Sequence, residues 1–351
     1  MKKKVRICYY NDWADGLYSY DNYKNIYLRG IEGKISDPDD PELLIKGQRD
    51  CEWHFEVMKC FSKIYDEHFE FSESYVVGTS NLLDYMNLNT SPNEDRWIIY
   101  SGQKPALLGH RVGEIFELLK KNGLKILYYS FDDASRTMNY YKDLAPFLDI
   151  LIHDEFPLSV EVQNKLNNSC IIMHKSWVAN VVPWSVSYNE KPLESILFLG
   201  STQGLTKERS NQLIYLKNKY KDKFISFTDH SVSFQKRGQL NKYKVSLCPE
   251  GRHFKTKSMS STHTDRPFWS GCFGVVPVIE NSVHGDRLNE LHERGLLVRY
   301  ANNNLSDLIE ACDSALNTDD QKRRLIYECY NSEMTIGKIL CEAFLRFYDS
   351  N

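Results

Sequence analysis

The chain is built from two kinds of segment in alternation. Short runs rich in aliphatic, β-branched and aromatic residues recur at "VRICYY" (5–10), "SYVVG" (74–78), "RWIIYS" (96–101), "LKILYYS" (124–130), "DILIHD" (149–154) and "SCIIMH" (169–174). Amphipathic stretches lie between them. In "RVGEIFELLKKNG", Val112, Ile115, Leu118 and Leu119 fall on one helical face, and Gly123 stands where a left-handed C-cap would stop the helix. A short apolar strand directly after a Gly-ended helix is the rhythm of βαβ units in a parallel sheet. The region 11–73 is less regular. Its "GKISDPDDPELL" reads as a turn-rich, solvated loop before a helix carrying Trp53, Phe55 and Met58.

After "SWVANVVPWSVSYNEKPLE" the rhythm starts again. "SILFLGS" (195–201) predicts a strand, "KERSNQLIYLKNKYKDK" a helix and "FISFT" a strand; "YKVSLC", a helix near 265–272, "GVVPVI" and "GLLVRY" (295–300) follow. Three helical stretches end the chain, the last being "TIGKILCEAFLRFY". At 351 residues the chain exceeds one ordinary core. The expected architecture is α/β: two Rossmann-like doubly wound domains facing a cleft, with C-terminal helices. The boundaries are 1–180 for the first domain, 181–335 for the second, and 336–351 for a final helix able to pack back on the first domain. Such sheets bind ligands outside the carboxyl ends of their strands.

Composition narrows the partners. There are 47 carboxylates against 44 Lys and Arg, so the chain lacks the basic footprint expected of a nucleic-acid binder. No apolar run approaches the ~20 residues that span a bilayer, and "MKKKVRICYYNDW" has no signal-peptide core. Nine scattered cysteines with no CxxC pair suit reduced core thiols and argue against structural zinc. A cytoplasmic protein is expected, with peripheral contact to a membrane face left open.

The densest chemistry lies in "YKVSLCPEGRHFKTKSMSSTHTDRPFWSGCFGVVPVIENS", Tyr243 to Ser282. Between two apolar runs it places Arg252, Lys255, Lys257 and Arg266, with Glu250 and Asp265 as the carboxylates. A loop leaving the first run at Cys248 emerges at the carboxyl edge of a sheet, and a helix beginning near Thr264 offers backbone N–H groups to phosphate oxygens. Arg266, one turn inside, adds a bidentate fork, Lys255 and Lys257 add point charges, and the carboxylates are left to accept from hydroxyls, as on ribose. Together these groups describe a nucleotide diphosphate site. The plain alternative is a solvated loop whose charges pair with one another.

Cys248-Pro249-Glu250-Gly251, Thr264-Asp265-Arg266, Phe268-Trp269, Gly271, Gly274 and Val276-Pro277-Val278-Ile279 give this segment a resemblance to the nucleotide-sugar-binding segment of exostosin-like and fucosyltransferase-like glycosyltransferases. The resemblance implies the GT-B architecture of two Rossmann-like domains, with 1–180 binding the acceptor and 181–335 the nucleotide-sugar, a UDP- or GDP-sugar as donor substrate with no other cofactor, Asp265 at the donor ribose and Arg266 at the diphosphate. Pro267 and Ser270-Gly271 depart from the Glu-Ala-Leu-like run of those families, and the Lys-rich insertion has no counterpart there, so donor identity does not carry over.

A second loop, "LFLGSTQGLTKERSNQL" (197–213), sets Gly200 and Gly204 between a strand and a helix whose first turn holds Lys207 and Arg209. It can close over a diphosphate with backbone amides, or be an ordinary β–α turn. In the first domain acids follow strands at Asp12, at Asp132-Asp133 and at Asp154-Glu155. An acceptor hydroxyl needs a base as it attacks the anomeric carbon, and Asp12, Asp154 and Glu155 are the candidates. The expected activity is metal-independent transfer of a sugar to a hydroxyl of a glycan or glycolipid, as in polysaccharide biosynthesis. The alternative is a non-catalytic carbohydrate- or nucleotide-sugar-binding protein. A dinucleotide-dependent enzyme is disfavoured, because "NDWADGLYSY" follows the first strand in place of G-x-G-x-x-G.

Overall fold

The computed structural model describes residues 2–10, 17–19, 69–78, 81–89, 91–100, 112–129, 143–153, 158, 160–174, 187–200, 207–228, 239–249, 266–280, 286–301, 304–334 and 336–350. Contacts divide the chain into two compact units, Met1–Lys175 with Gly337–Asn351, and Ser176–Ile336.

The first unit is a seven-stranded sheet. Its strands are β1 (Lys3–Tyr10), β2 (Leu17–Ser19), β3 (Phe69–Val77), β4 (Glu94–Tyr100), β5 (Lys125–Tyr129), β6 (Ile150–His153) and β7 (Ile171–His174), in the order β2-β3-β1-β4-β5-β6-β7. All neighbours are parallel except β2 on β3. The central strands end in continuous apolar runs, such as "ICYY", "WIIY" and "ILYY", because both sheet faces are covered there. Tyr10, Ile98, Tyr100, Ile126 and Tyr128 share a core with Phe116 and Leu119 of helix α2 (Val112–Lys121), which follows the short helix α1 (Leu82–Met86). Trp97, one position out of phase, faces the other way. It packs on Phe344 and Phe347 of the last helix, Ile336–Ser350, at ring distances of 4.6 and 4.9 Å. Helix α2 ends as its glycine requires: Gly123 takes φ +75°, and Leu124 N–H donates to Leu119 O at 3.1 Å, closing the helix before β5.

The second unit is a five-stranded, all-parallel sheet of β8 (Leu193–Leu199), β9 (Phe224–Phe227), β10 (Tyr243–Cys248), β11 (Val276–Glu280) and β12 (Val298–Tyr300), in the order β12-β11-β10-β8-β9. After the one-turn helix α3 (Val160–Gln163) of the first unit, its helices run α4 (Lys207–Tyr220), α5 (Arg266–Cys272), α6 (Asp286–Glu293), α7 (Leu305–Leu316) and α8 (Asp320–Glu333), so the last helix is α9. From β8 the chain steps outward to β9, then recrosses to β10 and proceeds the opposite way to β12. Right-handed crossovers therefore put α4 on one face and α5 and α6 on the other. Helix α7 lies beside α4, where the Tyr220 hydroxyl donates to Asp313 at 2.7 Å. Helix α8 lies beside α5, with Tyr330 against Phe268 and against the bare Cα of Gly271.

Each unit is thus a doubly wound α/β fold, and each strand order reverses beside its first strand. The antiparallel strand β2 departs from the expected irregular loop. The helix foreseen around Trp53 lies outside the described residues.

Candidate functional site

In a doubly wound sheet the ligand crevice opens at the carboxyl ends of the two strands flanking the reversal. In the second unit these are β8 and β10. The first ends at Leu199-Gly200 and the second at Cys248-Pro249, the starting points of the two loops singled out above. Residues 201–206 and 250–265 lie outside the described residues. With them go Glu250, Arg252, Lys255, Lys257, Thr264 and Asp265.

Arg266 is the first described residue of α5. It is partly exposed, and its guanidinium crosses to the neighbouring strand. A Cβ on Gly200 would meet Arg266 Nη2 at 3.2 Å and the Phe198 ring at 3.1 Å. The same cation bears on the end of β10. Burial pushes the Cys248 thiol up to about 11, while a hydrogen bond with Ser246, the Arg266 charge and a bond with Ser270 pull in the other direction. Arg266, on the helix that follows β10, therefore reaches the end of β8 across the reversal point. Gly200 is open to this approach because it has no side chain.

Lys207 starts α4 and is exposed; Arg209 follows two residues later. Arg209 is brought to a residue not foreseen as part of the site: its Nη2 lies 3.5 Å from Oε2 of Glu280, the last residue of β11. The two side chains are 13% and 9% exposed, so this pair sits largely out of water. Glu280 is in register with Tyr300, the last residue of β12. Continuing the registers Leu247↔Phe198 and Cys248↔Ile279 by one or two residues aligns Gly200, Pro249, Glu280 and Tyr300 in one row along the carboxyl edge. Two arginines, a carboxylate and a buried hydroxyl thus meet on the edge that the reversal point marks.

Glu280 ends an apolar run, and in the sequence its neighbours read only as core. An acid placed immediately after a parallel strand was the available signal. Tyr300 gave none, since a tyrosine ending "LLVRY" is an ordinary core residue.

In the first unit the corresponding edge is floored by tyrosines. Tyr10, Tyr100 and Tyr128 stand in register across β1, β4 and β5, with rings stacked at 5.1 and 5.5 Å. The loops that carry Asp12, Asp154 and Glu155 lie outside the described residues. His153, at the end of β6, is buried. Among the described residues no group of three or more His, Cys, Asp or Glu is gathered as metal ligands, no cysteine forms a disulfide, and no helix is long and apolar enough to cross a membrane.

No protein-family model matches the chain, and no curated protein matches it in sequence. Among solved structures it is similar to sucrose-phosphate synthase from Thermosynechococcus elongatus, at 10% identity over 99% of this chain and 100% of that one, with a TM-score of 0.47. It is also similar to HepE of Anabaena, solved with UDP and glucose, at 8% identity over 99% and 100% of the two chains, with a TM-score of 0.48. A glycosyltransferase from Rickettsia africae covers 99% of this chain and 98% of its own at 11% identity, with a TM-score of 0.47. All three scores lie below 0.5, and the assignment of the site rests on this chain's own geometry.

Proposed function

We infer that the protein is a GT-B glycosyltransferase that takes a nucleotide-sugar, a UDP- or GDP-sugar, and moves the sugar to a hydroxyl of a glycan or glycolipid. One observation carries the reading: Arg266 lies across the reversal point of the second sheet, over Gly200, at the place where this fold class binds ligands. A cation there, with Arg209 beside it on the same edge, suits a diphosphate leaving group. Lys207 and the loop residues Arg252, Lys255 and Lys257 supply further positive charge, a helix start near Thr264 turns backbone N–H groups to the phosphates, and Asp265 and Glu250 bind the donor's hydroxyls.

The donor sugar is lost from an anionic diphosphate, and these cations stabilise the charge as it develops. The chemistry then needs no divalent ion. The acceptor proton passes to a first-unit base, with Asp12 the foremost candidate and Asp154 and Glu155 next. The cysteine thiols fit a reducing, cytoplasmic setting. The sequence resemblance to exostosin-like and fucosyltransferase-like enzymes supports the transfer chemistry.

The test is a panel of UDP-, GDP- and CMP-sugars, each assayed for slow hydrolysis and for a rise in melting temperature. Hydrolysis of one donor with stabilisation by its nucleotide supports the enzyme. Stabilisation without turnover in the presence of acceptors selects a binding protein, and neither effect with any donor removes the nucleotide-sugar reading.

A further inference from the structure

The proposed donor edge holds one buried tyrosine hydroxyl. Tyr300 is 2% exposed, and its hydroxyl has no hydrogen-bond partner among the described residues. A buried hydroxyl left unpaired is costly, and its persistence calls for a state in which it is paired. Its neighbour in the sheet is Glu280, in register on the adjacent strand, where paired side chains stand side by side on one face. Burial, and next the Glu280 charge, push the tyrosine well above its ordinary range, so it remains a donor.

Glu280 is engaged elsewhere. Its contact with Arg209 is 3.5 Å long, whereas a well-formed charge-assisted bond runs to roughly 2.7–2.9 Å. The Glu280 contact is therefore a weak one, on the edge where an anionic ligand would pull on Arg209. If it left, Glu280 would become a largely buried carboxylate without its cation, which is strongly unfavourable.

We propose that Tyr300 is a positioning residue for anion capture: as a diphosphate draws Arg209 away from Glu280, the Tyr300 hydroxyl donates to Glu280 in its place. The proposal rests on the donor reading above and adds the step by which the site releases an arginine. No covalent change is involved. The ligand exchanges one ion pair for another, and the hydroxyl compensates the abandoned carboxylate.

The experiment compares wild type with Tyr300→Phe, measuring calorimetric affinity for UDP, GDP and inorganic pyrophosphate and the melting temperature of each ligand-free protein. Affinity about tenfold weaker in the variant is expected, from the loss of one hydrogen bond to a charged group. The ligand-free melting temperature should hold or rise, because the deleted hydroxyl was unpaired. Unchanged affinity overturns the proposal while leaving the donor reading in place. A fall in ligand-free stability alongside the affinity also overturns it, since it shows that the hydroxyl already had a structural role. If wild type binds none of the three probes, the donor reading fails and this inference fails with it.

Discussion

Arg266 Nη2 lies 3.2 Å from the point where a side chain on Gly200 would begin. Two residues 66 positions apart in the chain thus share one space, and the glycine gives the arginine access to the end of β8. Adding a methyl group there forces the guanidinium or the Phe198 ring to yield by a few tenths of an ångström. Gly200→Ala is therefore expected to leave the melting temperature within a few degrees of wild type while weakening nucleotide diphosphate binding several-fold. Titration calorimetry beside a thermal melt separates the two effects, and equal affinity in the variant would free the site from this contact.

Arg266→Ala tests the cation itself. A charge-assisted contact to phosphate is worth roughly 1.5–3 kcal/mol, which is about ten- to a hundredfold in affinity. The residue is partly exposed and opens its helix, so the fold should survive its loss. Unchanged UDP and GDP affinity in a folded variant would remove Arg266 from the site.

The two sheets were legible because parallel strands buried on both faces leave uninterrupted apolar runs such as "ILFL" and "VVPVI", and because Gly123 and Gly274 mark helix ends at positive φ. The candidate edge was legible in part. Gly200, Lys207, Arg209 and Arg266 could be chosen, since cations after strands stand out against an apolar pattern. That Arg209 meets Glu280, and that Glu280 shares a row with Tyr300, depends on register between β10, β11 and β12, which no local pattern encodes. The antiparallel strand β2 escaped for a related reason. Leu17–Ser19 is three residues long, and its pairing with Val77, Val76 and Tyr75 is decided by the neighbour alone.

The first unit offers a pH test. Asp95 sits at the start of β4, 2.8 Å from Lys125 Nζ and 3.4 Å from Lys3 Nζ, and accepts from the Tyr348 hydroxyl at 2.8 Å. Burial pulls its carboxyl upward, but the bonds from Lys125 and Tyr348 and the charges of Lys125 and Lys3 together outweigh that and hold it below the ordinary value of 3.8. A carboxylate with a lowered folded pKa stabilises the native state above its unfolded value, and that stabilisation disappears as pH falls through the folded one. Asp95→Asn should thus melt below wild type near neutrality, and the gap should close on acidification past 3.8. A gap independent of pH would show that the charge contributes nothing. Tyr348→Phe is expected to cost about 1–3 kcal/mol near neutrality, and part of that cost should persist on acidification, because it also deprives the Trp97 indole N–H of its acceptor at 2.9 Å.

Metal independence is tested directly. If Arg209, Arg266 and the loop lysines hold the leaving diphosphate as proposed, turnover is expected to survive EDTA unchanged and to gain less than about twofold from added manganese or magnesium. Activity abolished by EDTA and restored by either ion would mean that the cations of this edge do not suffice and that a metal bridges the diphosphate.

The base is the remaining assignment. Removing a true general base costs about 10²–10⁴-fold in rate, while donor affinity barely moves, because the base touches only the acceptor. Asp12 follows β1, the strand beside which the first sheet reverses its order, so its loop leaves from the position where this fold class gathers ligands. Asp154 and Glu155 follow β6, next to the edge strand β7 and three strands from β1. Asp12→Asn is therefore expected to show the large loss of turnover with unchanged UDP or GDP affinity, and Asp154→Asn and Glu155→Gln smaller losses. Single-turnover rates for the three variants, each paired with a calorimetric nucleotide titration, decide the order. If Asp12→Asn keeps wild-type turnover and Asp154→Asn or Glu155→Gln loses it, the base lies after β6. If all three keep it, the proton leaves by another group, with Asp15, His110 and His153, the last at the end of β6, next to replace.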